Sequence, residues 1–371
     1  MNPEQLFCPN INCAARGQVG QGNIKSHHLK EKRCWCTVCE KSFATSKGTL
    51  FYRLRTDSQQ VMWVIVLLAN GCPVQAIVKA FGFDERTVKN WWQRAGEQCE
   101  AVHEHVVGQQ ALDLQHVQAD EIRVKTQGGV IWMAMAIMVS TRLWLGGVIS
   151  PRRDKQLIRQ LAAQLRAYAL CRPLLLAVDG LSSYVEAFQQ AFRTPLPGDK
   201  GRPRLIAWAD IAIVQVIKRR ADTGLTLERR VVQGCTRLIE TLRQATQKAD
   251  GVINTAYIER LNATFRSHLA WLTRRTRTLA QQPETLQAGM YVVGCFYNLC
   301  DCHHSLRLRL WVGSHGHKWV QRTPAMAAGL TDHLWTIEEL LRFRVPPPRW
   351  TPPKQRGRPS NETLRLIERW C

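Results

Sequence analysis

Two sets of residues in this chain have the types and spacing to do chemistry. The first is a set of thiols. "FCPNINC" holds Cys8 and Cys13, and "KRCWCTVCEKSF" holds Cys34, Cys36 and Cys39. Zinc takes four thiolates in a tetrahedron, and two short cysteine pairs at separate turns supply them. Cys8 and Cys13 make the first pair. Cys36 and Cys39 make the second, followed by Lys41 and Phe43 as in a zinc-ribbon knuckle; Cys34 with Cys39 is the alternative. The second set is carboxylates. "ALDLQHVQADEIRVK" carries Asp120 in a strand-like stretch, and in "PLLLAVDGLSSYVEAF" a run of apolar residues ends on Asp179. A charge at the end of a buried strand is costly unless something pairs with it, and the sequence around Asp179 offers no partner.

The elements between these acids explain how they meet. Alternation along "HVQADEIRV" puts Val117, Ala119 and Glu121 on one face and Gln118, Asp120 and Ile122 on the other. "GGVIWMAMAIMVSTRLWLGGVIS" reads as two further strands, turned at Gly128-Gly129 and at "STR". "RRDKQLIRQLAAQLRAYAL" is an amphipathic helix with Leu157, Leu161, Leu165 and Tyr168 on its apolar face, and Leu174 to Val178 is the fourth strand. The order β-β-β-α-β-α is that of the ribonuclease H fold, in which the first and fourth strands are neighbours. Asp120 and Asp179 then converge, and a shared magnesium ion, hard and oxygen-seeking, is the missing partner. Glu228, Glu240 and Glu259 are candidates for a third acid. Glu228 sits in strand-like "TLERRVVQG" and Glu240 on a solvated helix face. "GVINTAYIERLNATFRSHLAWLTRRTRTL" argues for Glu259. Asn254 can cap its helix, and Ile258, Leu261, Phe265, Leu269 and Leu272 form the apolar stripe. Glu259, Asn262 and Arg266 share another face.

Before the first acid, "SQQVMWVIVLLANGCPVQAIVKAFGFDERTVKNWWQRAGEQ" predicts three helices. Val61 to Leu68 keep helical spacing, Gly71 stops the first helix and Pro73 opens the next. Ala76, Ile77, Ala80 and Phe81 line the second, and Asp84 is placed to cap the third. That helix keeps Val88, Trp91 and Trp92 for packing and projects Arg86, Lys89, Asn90, Gln93 and Arg94. This is a helix-turn-helix pattern, whose last helix enters the major groove.

Composition points the same way. Lys and Arg number 51 against 29 Asp and Glu, a net charge of +22 spread along the chain, which suits a polyanion partner. The opening "MNPEQLFCPN" lacks the order of a signal peptide, and "VMWVIVLLA" and "IWMAMAIMV" are half the length of a membrane span. The expectation is a soluble, cytoplasmic protein with no membrane partner. Five of the 13 cysteines fall in the first 39 residues, which suits metal rather than disulfides in a reducing compartment. Gly201-Arg202-Pro203 and Arg356-Gly357-Arg358-Pro359 suit the narrow minor groove of A·T-rich DNA. The first precedes a hairpin, "IAIVQVIKRR…LTLERRVVQG"; the second lies in a Pro-rich tail that reads as extended.

With these residues in place, the chain resembles the DDE transposases of bacterial and archaeal insertion sequences, most closely the insertion-sequence-one type. The resemblance runs from "CPNINC" to "TPAMAAGLTDHLWTIEELL". Its most specific pieces are "GVINTAYIERLNATFRSHLAWLTRRT", similar to the family's glutamate helix, and "CFYNLCDCHHSLRLR", which follows it. Cys302-His303-His304 stand where the family often has Arg-Pro-His, and Cys34 where it often has an aromatic residue. The resemblance implies that Asp120, Asp179 and Glu259 are the catalytic carboxylates. They would hold two magnesium ions, or manganese, while Cys8, Cys13, Cys36 and Cys39 hold a structural zinc. It implies hydrolysis at a transposon end, then attack of the freed 3′-hydroxyl on target DNA. Arg260, Arg266 and His268 would lie beside DNA, and Arg356 and Arg358 are further candidates for contact. The partners implied are double-stranded DNA, as transposon ends and target, and at least one further copy of the chain, working on chromosomal or plasmid DNA. The expected architecture is a multidomain α/β chain. It has a zinc ribbon over 1–56, a helix-turn-helix over 57–100, a linker over 101–115, an RNase H-like DDE domain with a β-hairpin insertion over 116–343, and a Pro-rich basic tail over 344–371. A silent DNA-binding regulator and an RNase H-like nuclease are the competing readings.

Overall fold

The structure is a computed structural model that describes residues 3–196, 204–221, 224–247, 251–273, 282–313, 316–352 and 357–371. Its elements begin with β1 (Ile24–His28), β2 (Arg33–Cys36), β3 (Ser42–Ala44), α1 (Ser58–Ala69), α2 (Val74–Phe81) and α3 (Glu85–His103). They continue with β4 (His116–Thr126), β5 (Gly129–Met138), β6 (Trp144–Ser150), α4 (Lys155–Tyr168), β7 (Leu174–Val178), α5 (Ser182–Ala191), β8 (Arg193–Pro195) and β9 (Leu205–Ala207). After these come β10 (Ile211–Ala221), β11 (Gly224–Gln233), α6 (Thr236–Thr246), α7 (Ala256–His268) and α8 (Pro283–Cys295). The last are β12 (Leu308–Trp311), β13 (His317–Val320), α9 (Pro324–Ala327), α10 (Ile337–Arg342) and α11 (Asn361–Trp370).

The chain divides into two compact units. One comprises the residues up to Val61 together with Leu341–Cys371, the other Met62–Leu340. In the first unit, β1, β2 and β3 form an antiparallel sheet. Leu6, Ala14, Ala15, Ile24 and Phe43 pack with the buried cysteines into its core, and Trp370 packs into the same core. The tail expected to be extended is therefore helical at its end. Ser360 Oγ accepts from the Thr363 N–H at 3.1 Å, capping α11. Leu366 and Trp370, one turn apart, share the face that packs on this core. The apolar spacing in "NETLRLIERW" outweighs the extended preference of the prolines before it.

The second unit is built on a mixed six-stranded sheet in the order β11-β10-β7-β4-β5-β6. The β4-β5 and β5-β6 pairs are antiparallel, whereas β7 runs parallel to β4 on one side and to β10 on the other. Alternation along β4 distinguishes the two faces. His116 and Gln118 bond to Thr246 of α6 and to the start of α7, whereas Glu121 bonds to Tyr184 of α5. β10 and β11 form the antiparallel hairpin the sequence suggested, and β10 also pairs parallel with β7, so the hairpin is continuous with this sheet. Ile211 to Val214 are all buried, the signature of a strand covered on both faces.

The expected linker over 101–115 is also different. α3 runs to His103 and continues as a π-helical turn, Glu104–Gly108. His103 is buried against Trp144 of β6, with ring centroids 4.6 Å apart. Burial holds its imidazole well below the usual range, at about 4, so it stays neutral. The helical spacing of Cys99, Val102, Val106 and Val107, all buried, carries through the anticipated boundary. α3 lies close on α8. A Cβ added at Gly96 would stand 2.3 Å from Ala288 Cβ. Overpacking here costs about 1–3 kcal/mol, against about 1 kcal/mol of helix propensity gained by alanine. Gly96→Ala is therefore expected to lower the urea midpoint; an unchanged midpoint would mean that the two helices have room to part. Among the described residues no helix is long and apolar enough to cross a membrane.

Candidate metal centres

The four thiols of the first unit converge. Cys8 Sγ lies 3.6 Å from Cys39 Sγ, and Cys13 Sγ lies 3.8 Å from Cys36 Sγ. All four sulfurs are within 4.8 Å of one another. A tetrahedron with Zn–S bonds of about 2.3 Å has S–S edges of about 3.8 Å, so the spacing fits that ion. Asn23 Nδ2 donates to Cys36 Sγ at 3.5 Å, an outer-shell bond of the kind that orients a ligand. Burial pushes the free Cys13 thiol up to about 12 and raises Cys8 further. Such thiols ionise only with a cation among them, which a structural metal supplies. Cys34 is buried on β2 outside this group, so Cys36 is the residue that completes it.

The carboxylates converge at one end of the large sheet. β4 and β7 are parallel neighbours with Ala119 opposite Val178, so Asp179, where the chain leaves β7, comes beside Asp120, where β4 continues paired to β5. Their side chains and that of Glu121 offer oxygens within 4.8 Å of one another. Asp120 faces α7, where Asn262 Nδ2 donates to its Oδ2 at 2.8 Å. Glu121 faces the other way and is buried. Tyr184 Oη donates to its Oε2 at 2.8 Å, and Arg153 Nε to its Oε1 at 2.5 Å. Arg153 also pairs with Asp179 Oδ2 at 3.4 Å, while Asp179 Oδ1 accepts from the Leu181 N–H at 2.9 Å.

Burial pushes the Asp120 carboxyl up to about 7, helped by the charge of Glu121 and, less strongly, by those of Asp179 and Glu259. The N–H of Glu121 opposes this. A divalent cation would relieve the same repulsion, so the donor set fits a hard metal ion. The sign of the pH effect follows from the raised value. In the metal-free protein the stability contributed at Asp120 is intact below about pH 4 and is lost as pH rises through about 7. Asp120→Asn removes the penalty. Urea titrations should show it more stable than wild type by about 1–2 kcal/mol at pH 8, with no gain at pH 4. Equal midpoints at pH 8 would mean that the carboxylate ionises in the fold without cost.

Glu259 is brought toward this end by a clamp on α7. Gln118, two residues before Asp120 on the same face of β4, donates through Nε2 to the Asn254 carbonyl at 2.7 Å. Its Oε1 accepts from the N–H groups of Tyr257 and Ile258, both at 3.0 Å. These are orphan donors of a first helical turn, satisfied here by a strand side chain. Glu259 follows at once. It pairs with Lys218 of β10 and accepts from the Thr255 hydroxyl. Burial raises its carboxyl, but the Lys218 and Thr255 bonds outweigh that and hold it below the usual range. Glu259 acts electrostatically on Asp120 yet is not one of the three closest acids; Glu121 takes that place. Glu228 pairs with Arg219 and Arg230, and Glu240 with Arg243, and neither joins the group.

The residues proposed to touch DNA fall in different surroundings. Arg86, Lys89 and Asn90 are exposed on α3, with Lys89 paired to Glu85 at 2.7 Å, and Gln93 and Arg94 are partly buried. Arg86, Lys89, Asn90 and Gln93 line a groove of about 660 Å³ that Trp271 also borders. Arg260 is exposed and Arg266 partly buried. His268 Nδ1 stands 2.9 Å from the Ala69 carbonyl oxygen, so its ring fastens α7 to the end of α1. Arg358 is exposed, while Arg202 and Arg356 lie outside the described residues.

Glu121, Arg153, Tyr184, Gln118 and Lys218 were not singled out from the sequence as site residues. Asn262 had a signal in its i+3 spacing from Glu259, and Glu121 in its adjacency to Asp120. Nothing local marks Arg153 or Lys218, because their partners are distant in sequence. Neither family models nor curated proteins gave a match to this chain.

Proposed function

We propose that the protein is a metal-dependent DNA phosphoryl transferase, a DDE-type transposase that cuts DNA at transposon ends and joins the cut ends to target DNA. The single observation that carries this reading is the convergence of Asp120 and Asp179 from adjacent parallel strands. The sheet order, with the first and fourth strands of the central sheet side by side, supports an RNase H-like core. The turn at Gly82, whose φ of 71° is left-handed, and the Asp84 cap on α3 support a helix-turn-helix. The four sulfurs support a zinc ribbon.

Asp120, Asp179 and Glu259 would hold magnesium or manganese, two ions on this reading, with Glu121 beside them. When bound, such ions activate the attacking oxygen and stabilise the leaving one. The chain's own part is positioning and charge. Asn262 orients the Asp120 carboxylate, and Gln118 fixes the start of the helix that presents Glu259. Arg153 and Lys218 balance the acids in the metal-free protein. Arg86, Lys89 and Asn90 would reach base edges, and Arg260 a phosphate beside the acids. Two transposon ends call for at least two copies of the chain.

The ion pairs made by Arg153 and Lys218 are also what a DNA-binding regulator without chemistry would keep. One assay separates these readings. Labelled duplexes from the DNA flanking the reading frame are incubated with protein, magnesium and a second DNA. The transposase reading expects 3′-hydroxyl cleavage products and joined strands. Cleavage without joining would indicate a nuclease, and binding with neither a regulator.

A further inference from the structure

β12 and β13 pair antiparallel, with Arg309 opposite Trp319 and Trp311 opposite His317. Alternation puts these four side chains, together with that of Arg307, on one face of the ribbon. They form a continuous row, with the His317 ring set edge-to-face against both tryptophans at interplanar angles of 65° and 89°. The Arg307 guanidinium carbon lies 3.9 Å from the Trp319 ring centroid, and that of Arg309 lies 4.7 Å from the Trp311 centroid. His317 stands between the tryptophans, its ring centroid 6.0 Å from Trp311 and 5.6 Å from Trp319, and Arg309 Nη2 is 3.2 Å from its Nδ1. Yet the row is open to solvent: Trp311 is 73% exposed and Trp319 39%. Among the described residues the ribbon joins no other strand. Its base is anchored by the His303 N–H to the Arg322 carbonyl at 3.0 Å and by Arg322 Nε to the Leu306 carbonyl at 2.8 Å.

An isolated two-stranded ribbon is marginal in water, and adjoining exposed tryptophans on one of its faces suit a binding site. Charge says what binds. From Arg307 to Arg322 the sequence contains Arg307, Arg309, Lys318 and Arg322 and no acid. A second copy of the ribbon would set arginine against arginine. A polyanion with exposed ring faces satisfies both parts of the row, with bases against the tryptophans and phosphates on the arginines. In a duplex the base faces are covered by their neighbours; in a single strand they are free. We infer that this ribbon is a stacking platform for single-stranded DNA. The choice of DNA over RNA rests on the reading proposed above.

The test is fluorescence anisotropy of labelled oligo-dT, oligo-U and a duplex of equal length, with the full chain and no divalent metal. Trp311→Ala and Trp319→Ala should each weaken oligo-dT binding about tenfold and leave duplex binding unchanged. Trp319→Phe should restore most of the loss. Equal losses on oligo-dT and duplex, or no loss on either, would overturn the inference. Tighter binding of oligo-U would overturn the assignment to DNA. Dissociation of an oligomer in the variants, seen by sedimentation with oligo-dT binding intact, would make the ribbon a contact between copies instead. Because no metal is present, a failure of the strand-joining assay does not decide this measurement.

Discussion

Asp120→Asn and Asp179→Asn are each expected to lower metal-dependent strand cleavage at least about a thousandfold, about 4 kcal/mol in barrier, and to leave DNA binding unchanged. Asparagine keeps the shape of either side chain. At position 120 its oxygen can accept from the Glu121 N–H while its amide donates to Asn262 Oδ1 once that amide turns over, and at position 179 its oxygen can accept from the Leu181 N–H, so the local fold is retained. What is lost is a negative oxygen that a hard cation requires. Glu259→Gln should behave likewise. Its ion pair with Lys218 is half-exposed, so that loss costs little stability. Glu121→Gln makes the contrast. Its carboxylate is buried between Arg153 and Tyr184, and neutralising it leaves Arg153 poorly compensated. That variant should lose stability first, with any residual activity in proportion to the folded fraction. Activity that survives Glu259→Gln but vanishes in folded Glu121→Gln would move the third carboxylate from α7 to β4. The experiment is the strand-cleavage assay run beside urea titrations of the same proteins.

Loss of zinc is the second large effect. The core of the first unit is made in good part of its cysteines, with few large aliphatic side chains around them. Structural zinc supplies roughly 10–16 kcal/mol of apparent binding free energy in small zinc-binding units, more than such a core replaces. Cys36→Ser, or a strong chelator, should unfold this unit. Trp370 should become exposed, since it packs in the same core. Cys34→Ser removes a buried thiol outside the group of four, so it should cost little and retain one zinc per chain. Elemental analysis of the purified variants, with tryptophan emission as the folding readout, checks both. Zinc retained by Cys36→Ser and lost from Cys34→Ser would restore the alternative pairing.

The parts that could be read from the sequence share one property: a short-range pattern decides them. The cysteine pairs, the Asp84 cap, the apolar stripe of α7 and the strand ending before Asp179 each declare themselves within a dozen residues. The neighbour relation of β4 and β7 follows from element order, and it brings Asp120 to Asp179. The remainder depends on long-range partners. The β10–β11 hairpin was legible because its pairing is local, whereas the parallel pairing of β10 with β7, which joins it to the large sheet, spans the α5 region. The stretch from the end of α3 looked like a linker because what buries it is distant in sequence: Trp144 and Tyr291, which pack on His103 at the end of α3, come from later elements. The Glu121–Arg153 pair and the Glu259–Lys218 pair were invisible for the same reason. Alternation correctly placed Glu121 on the opposite face from Asp120, and nothing local showed that Arg153 would tie it to Asp179.

The central claim is that Asp120, within β4, and Asp179, just past the end of β7, hold a divalent cation, and manganese binding measures that most directly. The signal of free Mn2+ in electron paramagnetic resonance is followed as protein is added, for wild type and for the double variant Asp120→Asn/Asp179→Asn. Zinc is kept in place, and urea titrations confirm that both proteins are folded. The claim predicts that wild type depletes the free signal saturably and that the double variant does so only weakly. Equal depletion by both proteins, or none by wild type, would contradict it.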